Sequence, residues 1–399
     1  MELRKTQLAA AVGAALLVGG TAAQAQVTGG QQGIQVQLYG QVSRALMFAD
    51  DGHQSKWFHV DAQPSSTRFG LNASAQATPG LRVGAKIETE MKSNPSDTVS
   101  FADPSTGAVS GNVLWAERWL DAYFEGSWGR INIGQGSGGA DDASTIDLSG
   151  TGMANGNCVC DWGGGINFRG SDGSTIAGAT VLGVFNNNDF ESRYDRLMYT
   201  TPTFGGFRAQ ASYGQKSDLG EVVEASLWYA GKFMGDFQAA IGYSNENLGT
   251  PPNALGIEGP DNETFGGSVS WLHASGFNVT FSYTQMTQGG AAGLCTATTC
   301  SVGATVGSER DDVKFMWGKV GYKFGSHAVA VDYGQVKNQA ADGDDGKTYG
   351  VGYVWNPQRW LEIFANYRIY QLDRDSSLLA GGVGIEDITV GAIGTRIRF

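Results

Sequence analysis

Beyond its first 25 residues the chain holds no run of about 18 apolar residues, the length a helix needs to cross a bilayer, so a helical membrane protein is excluded. Histidine is scarce: His53, His59, His273 and His327 are scattered, and no serine or cysteine stands in a recognisable nucleophile motif. An enzyme therefore has little support, although a triad assembled in space leaves no local signature. Positive charge is short, with 27 Lys and Arg against 39 Asp and Glu and a formal net charge of −12. That acidity argues against nucleic acid as a partner. With only 9 prolines beside 60 glycines and 19 phenylalanines, the chain is poor in strand breakers and rich in turn and strand residues.

What is present begins with an export signal. Arg4 and Lys5 form a basic start, Leu8 to Gly20 a short apolar core, and Ala23-Gln24-Ala25 a small-residue cleavage site. Residues 1–25 read as a signal peptide and 26–399 as the mature domain. An exported acidic chain of this composition is either a soluble β-rich protein or an outer-membrane barrel. The two differ in which face is apolar: a barrel in lipid is apolar outside and polar in its lumen.

The mature chain alternates. Val36, Leu38, Gly40 and Val42 interleave with Gln35, Gln37, Tyr39, Gln41 and Ser43; Leu81, Val83, Ala85 and Ile87 interleave with Arg82, Gly84, Lys86 and Glu88. This is the period of strands with one apolar face. Strand starts are expected near 35, 67, 81, 113, 130, 194, 206, 221, 236, 263, 276, 312, 326, 347, 359 and 387, making about sixteen strands. Short turns such as Thr78-Pro79-Gly80 and Phe204-Gly205-Gly206 alternate with long polar connections. An antiparallel transmembrane barrel does this because its two ends face different compartments, and sixteen strands enclose a water-filled channel. The expected fold is an all-β antiparallel transmembrane barrel.

One stretch, Gly134 to about Phe168, shows no alternation and holds the acidic residues Asp141, Asp142 and Asp147. A loop so long is functional or disordered. Its Gly134-x-Gly136-x-x-Gly139 matches a dinucleotide fingerprint, but no amphipathic helix or parallel unit follows, and flexibility at a loop start is the better reading.

Several motifs resemble the general porins of Gram-negative outer membranes. They are Gln37-Leu38-Tyr39-Gly40, Ser66-Thr67-Arg68-Phe69-Gly70-Leu71, Glu117-Arg118-Trp119-Leu120, Trp128-Gly129-Arg130-Ile131, Met198-Tyr199-Thr200-Thr201-Pro202 and the terminal Phe399. In order and spacing they span nearly all the mature chain. The resemblance implies a homotrimer of sixteen-stranded barrels in the outer membrane, passing small hydrophilic solutes and ions without cofactor. It also implies a third loop folded inward to face wall arginines. The chain departs from the family at Met198, where those porins often carry arginine.

Alternation puts Arg68, Arg82, Lys86, Arg130 and Arg208 on the lumen side. With Asp141, Asp142 and Asp147 opposite, they would form a constriction whose transverse field selects among ions; the plainer reading is solvated lumen charge far from any narrowing. Arg118 falls on the face of Leu120 and Phe124, where an arginine at the bilayer midplane costs about 2–4 kcal/mol. A β-bulge that turns it inward to the constriction, or a subunit interface, is therefore expected, and Arg44 poses the same problem. Asp342-Gly343-Asp344-Asp345-Gly346 resembles the start of a calcium loop but has Tyr353 where the bidentate Glu belongs, so it reads as an acidic external loop. Four cysteines allow three pairings. Cys295 and Cys300 are the candidate disulfide; Cys158 and Cys160 sit too close for an unstrained bond and would need other partners. No metal ligand set is expected.

The leading expectation is a passive diffusion channel. The alternatives are a substrate-selective channel for sugars or carboxylates, an adhesin or assembly barrel, and an outer-membrane hydrolase.

Overall fold

The computed structural model describes residues 33–105, 115–216, 220–247, 261–288, 311–375, 379 and 382–399. The signal peptide and Cys295 and Cys300 lie outside them. The strands are β1 (Gln35–Asp50), β2 (Ser55–Asp61), β3 (Arg68–Thr78), β4 (Leu81–Glu90), β5 (Ala116–Gly126), β6 (Gly129–Ser137), β7 (Asn167–Arg169), β8 (Thr175–Thr180), β9 (Arg193–Thr200) and β10 (Phe207–Gln215). They continue with β11 (Glu221–Lys232), β12 (Gly235–Asn247), β13 (Asp261–His273), β14 (Phe277–Gln288), β15 (Val313–Phe324), β16 (His327–Lys337), β17 (Asp345–Gln358), β18 (Leu361–Asp373) and β19 (Ile388–Arg398). All but β7 and β8 form one antiparallel sheet, which the pairing of β1 with β19 closes into a barrel. At the seam Phe399 N–H donates to the Gly40 carbonyl at 3.0 Å and Gly40 N–H to that of Phe399 at 2.9 Å.

The barrel has sixteen strand positions, all at the expected places, and one of them is broken. Both β2 and β3 pair with β1, β2 with its second half and β3 with its first. Residues 62–67 leave the ladder between them, where Pro64 removes a ladder donor. The short β2 lacks the length for its own alternation to show in the sequence.

Polarity across the wall is inverted relative to a soluble protein. On β14, Phe281 is 43% exposed while its neighbour Ser282 is 0% exposed. Inward Asn278, Thr280 and Thr284 are likewise buried, and outward Val279 is exposed. Leu120, Ile133, Leu197, Leu227, Ile241 and Val331 extend this apolar outer belt around the barrel. Near the short turns it carries aromatics, among them Trp128, Phe204, Phe207 and Phe324, which suits the membrane–water interface.

The long loop runs farther than its expected 134–168. β6 continues through Ser137, and the chain does not rejoin the barrel until Arg193, so the loop is 138–192. Its first part lies against β10 to β16. Gly139 N–H donates to Ser212 Oγ at 2.7 Å, Ile146 N–H to Ser268 Oγ at 3.0 Å, and Asn155 Nδ2 to Asp332 Oδ2 at 2.8 Å. Serines and threonines that would be exposed lumen polar groups are thus partners of the loop backbone.

Its second part builds a hydrophobic core inside the barrel, where a polar lumen was expected. Val159, Trp162, Ile166, Phe168, Val181 and Phe185 from the loop pack with Trp317, Phe364, Tyr370 and Val390 from the wall, all buried. Tyr370 Oη bonds the carbonyls of Val159 and Trp162 at 2.6 and 2.7 Å. Gly164 and Gly165 lie against the backbone of Asp97, Thr98 and Val99, with no room for a Cβ. The β7–β8 hairpin then reaches the connections at the long-loop end: His53 Nε2 lies 2.9 Å from the Gly170 carbonyl, and Ser171 N–H donates to that of Gly384 at 2.8 Å.

Candidate functional site

The loop packs against the side of the barrel lined by β10 to β19, across from the wall of β3 to β6. On that wall lies a connected set of charges. Arg118 donates to Glu88 Oε1 at 2.6 Å and to Glu90 Oε2 at 3.0 Å. Arg68 is 3.7 Å from Glu88, and Lys92 is 3.0 Å from Glu90. Tyr39 Oη donates to Glu88 at 2.8 Å, and Lys86 Nζ sits 3.7 Å from the centre of the Trp119 ring. The side chain of Arg118 points this way because the pairing of β4 with β5 slips between Glu88 and Thr89, making Arg118 the extra residue of a bulge. Arg44 has another solution: it shares the face of Val42 and Leu46 and is satisfied by Asp61 at 3.6 Å and the Ser93 carbonyl at 2.7 Å.

Opposite in sign is the root of the loop. Gly138 N–H donates to the Ser192 carbonyl at 2.8 Å, which joins the two loop ends. A Cβ on Gly138 would collide with Glu224, so glycine is required where the root presses on the wall. Glu224, fully buried on β11, accepts from Ala140 N–H at 3.2 Å and Glu191 N–H at 2.9 Å. Beside it Asp141, Asp142 and Asp189 come together. Burial and then Asp142 push Asp141 up to about 6, while the charges of Arg193 and Arg118 act against this. Burial, with Asp141 and Asp142 beside it, also raises Asp189.

The other expected site residues lie elsewhere. Asp147 faces no wall arginine; it binds Lys319 of β15 at 2.5 Å, and that ammonium holds it below the usual carboxylate range against the effect of burial. Lys319 also donates to Thr151 Oγ1 at 3.1 Å and the Asn155 carbonyl at 3.0 Å, so the pair is a loop anchor. Arg82, bonded to Ser74 Oγ at 3.0 Å, lies near the short-turn end of β4, six residues or about 20 Å along the strand from Glu88. Arg130 is at that same end, stacked 3.7 Å from the Tyr123 ring. Cys158 and Cys160, expected to seek other partners, face each other with sulfurs 3.3 Å apart as free thiols. Asp344 of the calcium-like stretch accepts from Nε and Nη2 of Arg374, each contact 2.7 Å. Sequence reading missed Arg193, Glu88, Glu90 and Asp189. Glu88 and Glu90 share the alternating register of Arg82 and Lys86, a usable signal; Asp189 carries none. Where the family has an arginine at Met198, this chain has Arg196 two residues earlier, 3.0 Å from Asp121 with both side chains fully buried.

An apolar belt outside, charged groups inside and a loop folded into the lumen define a transmembrane pore. The sequence profile of the Gram-negative porins matches residues 9–375, and the chain belongs to that family. It is a passive channel of the outer membrane. No curated protein matches it in sequence. Among solved structures, an anion-selective porin from Comamonas acidovorans is similar with a TM-score of 0.60 at 17% identity, covering 92% of this chain and 100% of that one. OmpF of Salmonella typhi, complexed with daunomycin, gives 0.58 at 16% identity over 92% of this chain and 98% of its own. OmpT, an outer membrane protein of Vibrio cholerae, gives 0.56 at 15% over 94% and 100%. At such identities the likeness is one of fold.

Proposed function

We propose that this porin selects among small hydrophilic solutes and ions at a charged constriction formed by Arg68, Lys86, Arg118 and Arg193 with Glu88 and Glu90 on one side and the root of loop 138–192 on the other. The observation that supports this is the cluster of Asp141, Asp142 and Asp189 at the loop root, with Asp141 within the field of Arg193 and Arg118, beside a wall that carries more cations than carboxylates. Such opposed charge across a narrow aqueous gap orients polar solutes and favours one ion sign. Arg82 and Arg130 act nearer the short-turn mouth, as a second ring that solutes meet outside the constriction. The channel needs no cofactor and performs no chemistry on its solutes. It works as a homotrimer, as the existence of a trimer form of Vibrio cholerae OmpT supports.

A second reading has its own support. Lys86 on Trp119 and Arg130 on Tyr123, both at 3.7 Å, line the wall of β3 to β6 with cations backed by aromatic faces, and Arg208 on Trp228 at 5.0 Å repeats the pairing on β10 and β11. That lining suits carboxylates with a flat apolar body, and the anion-selective porin from Comamonas acidovorans shares the fold. Reversal potentials across a salt gradient test the constriction. Arg118→Gln with Arg193→Gln moves the potential toward cation preference; an unchanged potential removes both residues from the narrowing. Block of the current by millimolar benzoate, with no block by glucose, supports the carboxylate reading.

A further inference from the structure

The apolar half of the loop opens on a pair of cysteines that take no part in the charged constriction. Cys158 is the central residue of an inverse γ-turn, with φ −71° and ψ 71°, in which Val159 N–H donates to the Asn157 carbonyl at 2.7 Å. Val159–Asp161 then makes one tight helical turn, and Asp161 N–H donates to the Cys158 carbonyl at 3.0 Å. Helical backbone at the one residue between them brings the Cα atoms of Cys158 and Cys160 to about 5.5 Å, inside the range that a disulfide spans. Their sulfurs touch at 3.3 Å. Cys160 is 1% exposed in the apolar core, while Cys158 is half-buried at its edge.

We infer that Cys158 and Cys160 are joined by a disulfide in the exported protein, closed while the loop is still undocked and then sealed by the core. A protein of the outer membrane passes through the oxidising periplasm before its barrel closes, and disulfides form and persist there. The oxidant is itself a disulfide, of a protein or a small molecule. The thiolate of one cysteine attacks it, forming a mixed disulfide and releasing one thiolate. The thiolate of the other cysteine then attacks the first at its sulfur and releases the second half of the oxidant. One S–S bond breaks and one forms; the pair loses two electrons and two protons, and the oxidant becomes two thiols. A ring that encloses a single residue is strained and readily reduced, so its survival depends on protection. Docking supplies that protection, because Tyr370 holds the carbonyls of Val159 and Trp162 on either side of Cys160 and leaves no path to its sulfur. A more distant cysteine would have to displace the core to reach Cys160. Closure must come first, since in the docked loop the hydrogen bond with Cys160, together with burial, holds the Cys158 thiol well above its usual range, where thiolate is scarce. So small a ring takes little entropy from the unfolded chain. The bond therefore leaves barrel stability nearly unchanged and acts locally, fixing the turn that presents Val159 to the core.

The test is mass spectrometry of wild-type protein from outer membranes dissolved directly in denaturant with excess N-ethylmaleimide. In most chains the proteolytic peptide that spans Cys158 and Cys160 is expected unlabelled and lighter by two hydrogens than its dithiol form, and it takes two labels once reduced. Labelling of both cysteines without reduction in most chains, or a bond from either to Cys295 or Cys300, overturns the inference. Protein refolded in reductant tests the order of events. Its docked pair is expected to react with oxidised glutathione about tenfold or more slowly than the pair in the urea-unfolded chain, because burial withholds the thiolate; equal rates overturn closure before docking. Hydrogen exchange reads the local effect. Oxidised wild-type protein exchanges more slowly than reduced protein in residues 157–162 and equally in the barrel strands; no difference in 157–162 overturns the part given to the bond in fixing the turn.

Discussion

Asp161 shows how a single side chain reports on the loop. It lies in a short helical turn of the buried half, and burial followed by the charge of Asp97 pushes it up to about 7. An acid whose folded-state pKa lies above its unfolded value is best accommodated while protonated. Its contribution to stability therefore falls as pH rises from about 4 through about 7 and then levels off. Hydrogen exchange in residues 157–166, corrected for intrinsic rates, is expected to be faster at pH 8 than at pH 5.5. In Asp161→Asn that difference disappears; a persisting difference assigns the pH response to another group. Strict alternation placed Arg118 in lipid, and the cost of an arginine there was itself the argument for a bulge. The structure has that bulge, with Arg118 between Glu88 and Glu90.

At the scale of elements, the barrel strands were legible because a half-lipid, half-water environment forces a period of two on each. β2 was not, since a short strand broken by residues 62–67 gives too few repeats. The loop was legible as an interruption but not in extent or content. Ile166, Phe168, Ile176, Val181 and Phe185 bury themselves through irregular backbone, so they carry no period, and their partners are wall residues up to 220 or so positions away in sequence. For the same reason Asp189 could not be joined to Asp141 beforehand. Phe185 is the clearest handle on this core. It is fully buried, with its ring 5.1 Å from Tyr370 and 6.3 Å from Phe168. Phe185→Ala removes about 3–5 kcal/mol of loop docking. Because the barrel ladder is untouched, heat-modifiable migration should persist while single-channel conductance and its noise rise. Unchanged conductance would show that the apolar half does not hold the loop in the water path.

At the scale of the molecule, an inverted barrel encloses an internal core. The apolar belt faces lipid, one side of the lumen is packed with loop, and the path proposed for solutes runs past the charged wall of Arg68, Lys86, Arg118, Glu88 and Glu90. The anchors that maintain this division are spread around the wall, from Glu224 on β11 through Lys319 on β15 to Tyr370 on β18. Loss of one therefore loosens the loop locally and leaves the barrel closed. A passive channel requires that the water left between loop and wall be continuous and conduct. Purified protein in planar bilayers should give discrete current steps that scale with salt concentration and group in threes. Protein that is folded and inserted, yet passes no current, contradicts the account.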